Sequence, residues 1–189
     1  MMLADFLLLG ILVGWLGKGS LWRLAEARIP AFWVIIGGFL IRFSSFWIPF
    51  AWSRWLGIIG MFLIFGASLS GFRVRGFKLI SLGAFLNCLV MLFNQGRMPV
   101  WTDMALRLGL FSLVERLRQG AFAEYVALSS SGRLFFLGDV LPYFSLLFRK
   151  FFVVSVGDYL LGVGVLIFVV HFMRYGGTTF AERNNKAVH

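Results

Sequence analysis

Two aspartates, Asp139 and Asp158, are candidates for acid–base chemistry because of their residue type and their spacing. They lie 19 residues apart, each follows a glycine, and each is the only acidic residue in a long, mostly apolar stretch. Two carboxyl groups that approach closely share a proton, so one acts as a general base for a water and the other as a general acid. This is the arrangement that an aspartic protease needs. The sequence predicts such a site if the segment between them folds back.

The same two residues also suit a structural role. A Gly-Asp pair before an apolar run is good helix-capping chemistry, because the carboxylate accepts hydrogen bonds from the first backbone N–H groups. Asp158 is predicted in the first turn of the last hydrophobic segment, where the helix dipole stabilises an anion. The residues alone therefore leave a catalytic pair and two helix caps as alternatives.

A six-residue segment, 94–99, is a second candidate element. It reads Asn-Gln-Gly-Arg-Met-Pro and combines an amide, a permissive glycine, a cation and a proline at a helix exit. Such a turn can present a side-chain amide and backbone N–H groups at a membrane surface, and an ordinary capped helix end is the alternative. Asn87 precedes Asn94 by about two helical turns and is predicted on the same helix face, where hydrogen bonding between helices is the usual role.

Arg42 lies in the middle of an apolar segment. A charge at that depth in a bilayer costs roughly 2.5–3.5 kcal/mol, so the side chain is expected to face other helices or water. Asp5 is a conceivable acidic partner. A structural ion pair or a side chain that reaches the interface is the favoured interpretation.

Composition places these residues in a membrane protein. The chain has 189 residues, of which 60% are hydrophobic and 14% charged, and its mean hydropathy is +0.87; soluble domains carry about a quarter charged residues. Within lipid every backbone polar group must be hydrogen-bonded inside the protein, and a helix is the only open-ended structure that achieves this. We predict an all-α membrane protein forming one embedded domain over residues 1–189. The five predicted spans are 3–16, 31–50, 55–71, 77–93 and 153–172.

Charge distribution predicts orientation and partners. Lysines and arginines concentrate in the first and third loops and after the last span, which places those parts in the cytoplasm and the N-terminus outside. This distribution accounts for the net charge of +10 without nucleic-acid binding. The first span lacks a basic leader and is read as retained. Cys88 is alone, and no pattern indicates a cofactor or metal. Membrane lipids are expected partners, and the oligomeric state is open.

The outer stretch, residues 94–152, differs from a plain membrane segment. Residues 104–117 have apolar positions at helical spacing with charged interruptions, which predicts an amphipathic helix lying in the interface. Residues 133–142 and 143–152 are too short and too interrupted to span a membrane. They are interpreted as interfacial or re-entrant.

Residues 152–169 resemble the last span of bacterial lipoprotein signal peptidases, the type II enzymes that cut prolipoproteins at the outer face of the inner membrane. Those enzymes carry Phe-Asn-x-Ala-Asp before an apolar helix with an early glycine, and a second catalytic aspartate about 20 residues upstream. Asp158 and Asp139 match these positions. The family's Asn-x-Gly-x-x-Phe motif looks like residues 94–99, with Pro99 in place of Phe. The resemblance implies an aspartyl peptidase whose substrate is a membrane-anchored precursor or lipoprotein.

The chain departs from that family in two respects. No Gly-Asn-x-x-Asp-Arg motif precedes Asp139, where Arg133 is the only nearby cation. The enzymes have four spans, two of them between the Asn motif and the aspartates, where this chain has the amphipathic stretch. The fuller pattern, Asn-x-Gly-x-Met-Pro followed by two Gly-Asp motifs, looks more like an uncharacterised bacterial membrane family, a domain of unknown function.

The leading hypothesis is therefore an aspartyl intramembrane-type peptidase in the bacterial cytoplasmic membrane, active at the outer face. The alternative is a non-catalytic scaffold or a subunit of a membrane complex. Asp139 and Asp158 are the candidate catalytic residues. The candidate substrate-binding residues are Asn87, Asn94, Gly96, Arg97 and Arg133.

Overall fold

The computed structural model describes residues 2–27, 29–44, 53–128 and 133–176. Apolar helices form a bundle, and short strands and helices cover one end of it. The helices are α1 Met2–Leu16, α2 Leu21–Ala25, α3 Phe32–Ser44, α4 Ser53–Ser70, α5 Phe77–Phe93, α6 Thr102–Arg107, α7 Phe111–Arg118 and α8 Val156–Tyr175. The strands are β1 Met98–Val100, β2 Tyr125–Ala127, β3 Leu141–Ser145 and β4 Lys150–Val154.

The last helix, α8, lies at the centre of the bundle, between α1 and α5, and α4 lies between α5 and α3. Glycines set the approach of α5 to α8. A methyl group added at Gly83 would clash with the carbonyl oxygen of Gly157, and one added at Gly76 would clash with that of Gly164. Small residues allow this backbone contact between apolar helices. Because the pairs 83–157 and 76–164 run in opposite directions, α5 and α8 are antiparallel.

All five bundle helices have one end at the strands, which we call the strand end. In α1, Gly14 packs on Met173 of α8 and Phe6 packs on Gly162, so these two helices run parallel. Consecutive helices α3, α4 and α5 are antiparallel, since Gly38 packs on Gly60 and Gly71 packs on Phe77. The strand end therefore gathers the N-termini of α1, α4 and α8 with the C-termini of α3 and α5.

By length and composition, two helices of the described residues, α4 and α8, could cross a membrane, while α1, α3 and α5 are apolar but shorter. Large apolar side chains such as Trp33, Leu40 and Phe62 are exposed on the bundle surface. The mostly helical fold is confirmed, and each predicted span overlaps a helix as far as it is described, although residues 153 and 154 of the last predicted span belong to β4. Residues 45–50 of the second predicted span lie outside the described residues. The five crossings remain a prediction.

The covering layer differs from the predicted one. The single amphipathic helix expected over residues 104–117 is instead two helices, α6 and α7, separated at Gly109, which has a positive φ of 74°. That left-handed conformation ends α6 and re-aims the chain. Residues 141–154, most of which are interpreted from the sequence as interfacial or re-entrant, form an antiparallel hairpin, β3–β4.

Strand β1 is the centre of a second small sheet. It pairs in parallel with β2, with Met98 opposite Tyr125. On its other edge the backbone of Asp139 makes an isolated bridge to Val100. The amide of Asp139 donates to the Pro99 carbonyl at 2.8 Å, and the Asp139 carbonyl accepts from the Trp101 amide at 2.9 Å.

Asp5 fastens the hairpin to the bundle. Its carboxylate is 8% exposed and accepts hydrogen bonds from the Ser145 hydroxyl at 2.6 Å, the Tyr143 hydroxyl at 2.9 Å and the Leu147 amide at 2.9 Å. The suggestion that Asp5 pairs with Arg42 is therefore wrong. Arg42 forms its ion pair with Glu124, because α1 and α3 are not neighbours in the bundle.

Replacing Gly83 with alanine is expected to destabilise the fold by about 1–3 kcal/mol, since the added methyl group overpacks a backbone contact. The matched control is Gly66→Ala in α4, where an added Cβ meets nothing within 4 Å; this change should be neutral or stabilise by up to about 1 kcal/mol, as alanine favours helix. Thermal unfolding of both variants in detergent measures the difference. Equal midpoints would contradict the packing described here.

Replacing Asp5 with asparagine is expected to loosen the hairpin while the helices remain folded. Three donors converge on the carboxylate, and an amide supplies one acceptor oxygen and no charge. Hydrogen exchange of the Leu147 amide and its neighbours should accelerate at least tenfold, about 1.4 kcal/mol of local stability. Asp103→Asn in α6, at an exposed position, is the control. Unchanged protection in Asp5→Asn would remove Asp5 as the anchor.

Candidate functional site

Asp139 carries a buried carboxyl group, one oxygen of which has no hydrogen-bond partner in the described structure. Its residue is 7% exposed, and its Oδ1 atom finds no partner among the described residues. Burial, with a further contribution from the negative charge of Asp158, holds its pKa well above the ordinary value of 3.8, and the positive charge of Arg42 opposes this. The Asp139 carboxyl group therefore keeps its proton to a higher pH than an ordinary aspartate.

Asp158 is held in the opposite way, by donors on both oxygens. It lies in the first turn of α8 within a capping box, in which the Ser155 hydroxyl accepts from the Asp158 amide at 3.0 Å and the Ser155 amide donates to Oδ2 at 3.4 Å. The Asn87 side chain donates to Oδ1 at 2.8 Å. A carboxylate at a helix N-terminus with both oxygens accepting is positioned to act as an anion.

Asn87 connects α5 to this helix start. Besides donating to Asp158, its oxygen accepts from the Ser155 hydroxyl at 2.9 Å, and the residue is fully buried. Gly157 makes this geometry possible, because a methyl group there would collide with the Asn87 oxygen. The structure thus supports the hydrogen-bonding role favoured from the sequence, and it places that bond directly on a candidate catalytic carboxylate.

The hairpin explains why residues 19 apart in sequence act on each other. Asp139 comes just before β3 and Asp158 just after β4, and the Val140 amide donates to the Val154 carbonyl at 3.2 Å where the hairpin closes. The segment between them folds back, as the catalytic hypothesis requires. The negative charge of Asp158 contributes to the raised pKa of Asp139, which agrees with this closing of the hairpin.

The capping hypothesis applies to one of the two aspartates. Asp158 belongs to a complete capping box. Asp139 begins no helix, since the next element is strand β3, and its backbone is engaged with β1. A capping role therefore accounts for Asp158 but leaves the burial of Asp139 unexplained.

An ion pair between Arg42 and Glu124 completes the polar cluster; an ion pair was among the favoured roles of Arg42, but Glu124 was not identified as its partner. Arg42 is near the end of α3, and Glu124 immediately precedes β2; their side chains are 12% and 3% exposed. One Glu124 oxygen binds the Arg42 guanidinium, and the other finds no partner in the part of the chain that is described. A buried arginine on an apolar helix was the available signal, but the sequence does not show which acid it meets.

The 94–99 segment makes its contacts mainly through its backbone and the side-chain amide of Asn94. Asn94 ends α5, and its Nδ2 donates to the Val90 carbonyl at 2.7 Å and to the Arg133 carbonyl at 2.8 Å. Gly96 has a φ of 85° and packs against Arg54. The segment is thus a capped helix end that delivers the chain into β1. These contacts leave the predicted substrate-binding roles of Asn94 and Gly96 as predictions.

The two candidate cations are placed differently. Arg97 is partly buried, and its Nε has no hydrogen-bond partner among the described residues. The side chain of Arg133 is exposed, and its carbonyl receives the Asn94 amide. Their roles in substrate binding remain predictions. Within the described residues, no group of three or more His, Cys, Asp or Glu side chains could hold a metal ion.

Comparison with known proteins identifies a family but no activity. An uncharacterized protein of Thermotoga maritima is 35% identical over 130 residues, which is 66% of this chain and 71% of the relative. No solved structure matches the chain significantly. None of this bears on the resemblance to lipoprotein signal peptidases, which remains a prediction. Residues 24–170, which include the Arg42–Glu124 pair and both aspartates, match a family of unknown function, DUF5317, and the chain belongs to that family.

Proposed function

We propose that this protein is an aspartyl peptidase of the cytoplasmic membrane, with Asp139 and Asp158 as its catalytic pair. One observation supports this more than any other: Asp139 is buried, with a raised pKa and an Oδ1 atom that has no partner among the described residues, and the closed hairpin joins it to Asp158, whose two oxygens both accept hydrogen bonds. Two carboxyl groups with opposed environments are the mark of an acid and a base. Both are carried on regular backbone structure, which fixes their positions.

In the proposed reaction Asp158 is the base and Asp139 the acid. A water bound between them gives a proton to Asp158 as its oxygen attacks the scissile carbonyl carbon, and Asp139 gives its proton to the carbonyl oxygen. The tetrahedral intermediate then collapses as its hydroxyl proton returns to Asp139. The proton on Asp158 passes to the departing amine. Both carboxyl groups end in their starting states, as general acid–base catalysis requires.

The proposed substrate is a membrane-anchored precursor or lipoprotein. Five crossings with the N-terminus outside would put the strand end of the bundle at the outer face, and the opposite end carries the basic residues of the loops, such as Lys18, Arg75 and Arg174. The exposed apolar side chains along the helices suit contact with lipid. A precursor held in the same bilayer would present its extracytoplasmic segment at the level of the site.

A non-catalytic scaffold is the second candidate, and the Asp158 network favours it. The complete capping box and the bond from Asn87 join two helices, and such buried networks also specify packing. Under this alternative Asp158 is only structural. The scaffold alternative does not explain the burial of Asp139, because its Oδ1 atom makes no hydrogen bond to any described residue.

Replacing either Asp139 or Asp158 with asparagine is expected to lower precursor processing by roughly 100-fold or more, the usual contribution of a general acid or base. The measurement is accumulation of uncleaved membrane precursors in cells that depend on the variant, followed by mass spectrometry of their N-termini. Asp103→Asn serves as the exposed control. Normal processing by both folded variants would favour the scaffold.

Stability should depend on pH through Asp139. Its folded-state pKa lies above the ordinary value of 3.8, so its contribution to stability is fully present below that value and is lost as pH rises through the folded-state pKa. Asp139→Asn cannot ionise. Its melting midpoint in detergent should therefore gain on the wild type as pH rises from acidic to neutral. A wild type that gains on the variant instead would mean that Asp139 is ionised and paired.

A further inference from the structure

The Arg42 guanidinium lies within range of several acids of the described structure. Its charge interacts with Glu124 and Asp158 and with Asp139. Glu124 forms a direct ion pair with the Arg42 guanidinium. The choice of partner matters, because a buried cation paired with Asp139 would favour the anion of that residue. Both members of the proposed catalytic pair would then be ionised, and no general acid would remain.

The fold fixes this choice through α4. Two glycines one turn apart on that helix leave room for the pair: the Glu124 carboxyl carbon lies 3.6 Å from where a Gly57 Cβ would stand, and the Arg42 Cβ lies 3.0 Å from that position at Gly60. Larger residues would fill this space. The ion pair therefore packs against α4 at these two glycines.

The strand β1 separates the two acids that compete for the cation. The Met98 amide donates to the Glu124 carbonyl at 2.7 Å on one edge, and the Pro99 carbonyl accepts from the Asp139 amide at 2.8 Å on the other. Glu124 and Asp139 are thus fixed to one short strand, each with an unpartnered carboxyl oxygen in the described structure. Their chemical difference is that Glu124 holds the arginine.

We propose that Glu124 is a positioning residue of the hydrolytic site, which holds the Arg42 guanidinium away from Asp139 and so leaves Asp139 able to donate a proton. This inference rests on the proposed function for its catalytic meaning. The electrostatic part of the inference is supported by the Arg42–Glu124 ion pair, by its packing against Gly57 and Gly60, and by the attachment of Glu124 and Asp139 to opposite edges of β1. In the described part of the chain, the charges that act on Asp139 are those of Arg42 from α3 and Asp158 from α8, Tyr125 of β2 interacts with it, and Glu124 is attached to the other edge of β1. Burial raises the pKa of Tyr125, which stays neutral over the range tested.

Three variants test the proposal through the direction in which each shifts the midpoint of Asp139 deprotonation. Glu124→Gln leaves the cation uncompensated and should lower the midpoint at which Asp139 loses its proton by about one pH unit or more. Arg42→Met leaves the Glu124 anion uncompensated and should raise that midpoint. The double variant removes both charges and should return the midpoint toward the wild-type value. A merely structural pair would not give opposite shifts that cancel.

The measurement is infrared spectroscopy of the full-length protein in detergent, following the carbonyl band of the protonated carboxyl group against pH. Asp139→Asn assigns the band, and Glu115→Gln, at an exposed position in α7, is the control. Opposite shifts that cancel in the double variant confirm the proposal. Absence of a shift in Glu124→Gln, or a shift that the second substitution does not reverse, overturns it. If Glu124→Gln does not fold, the rise in Arg42→Met and its reversal in the double variant decide the matter.

The same variants distinguish this inference from the peptidase. Under both proposals, the high-pH limit of precursor processing in Glu124→Gln should move down in step with the infrared midpoint. If the infrared shifts appear but Asp139→Asn and Asp158→Asn process precursors normally, the peptidase fails and the role of Glu124 toward Asp139 stands. If precursor processing depends on both aspartates while the midpoint of Asp139 deprotonation is unchanged in Glu124→Gln, the peptidase proposal stands and this inference fails.

Discussion

The backbone contact between α5 and α8 at Gly83 and Gly157 is the constraint on which the polar site depends. Apolar side chains normally hold helix axes too far apart for a short amide to bridge them. Here two glycines remove that spacing, and Asn87, one turn beyond Gly83, reaches both the Ser155 hydroxyl and the Asp158 carboxylate. The hydrophobic packing of the bundle and the hydrogen bonds of the site are thus set by the same pair of residues.

Each buried charge of the described bundle is managed separately. Asp5 receives three hydrogen bonds from the hairpin, Asp158 receives donors on both oxygens, and Arg42 and Glu124 neutralise each other. Unpaired charges are expensive in a low-dielectric interior, so these arrangements are what the fold needs to keep them. For Asp139, whose Oδ1 atom has no partner among the described residues, burial instead favours the neutral form.

The helices could be predicted from the sequence because apolar runs of helical length report a local property. Asp158 in the first turn of α8 followed from the same reasoning, as did the helical end at Asn94. The hairpin could not be predicted, since residues 141–154 are apolar on both faces and show no alternation. Glu124 was missed because its partner Arg42 is 82 residues away, and only the packed structure decides which acid an arginine meets. The break at Gly109 was available in principle, since a lone glycine in a helical pattern can mark an end.

The attachment of the hairpin to α1 has a consequence for the order of folding. Asp5 is separated by 138 to 142 residues from its partners at Tyr143, Ser145 and Leu147, which come shortly before the last helix. Contacts between such distant parts of a chain form late, because loop closure must precede them. Asp158 is positioned only when α8 has packed between α1 and α5. The helices can therefore form before Asp139 and Asp158 are brought together, and the arrangement of these two carboxyl groups depends on the last packing step of the bundle.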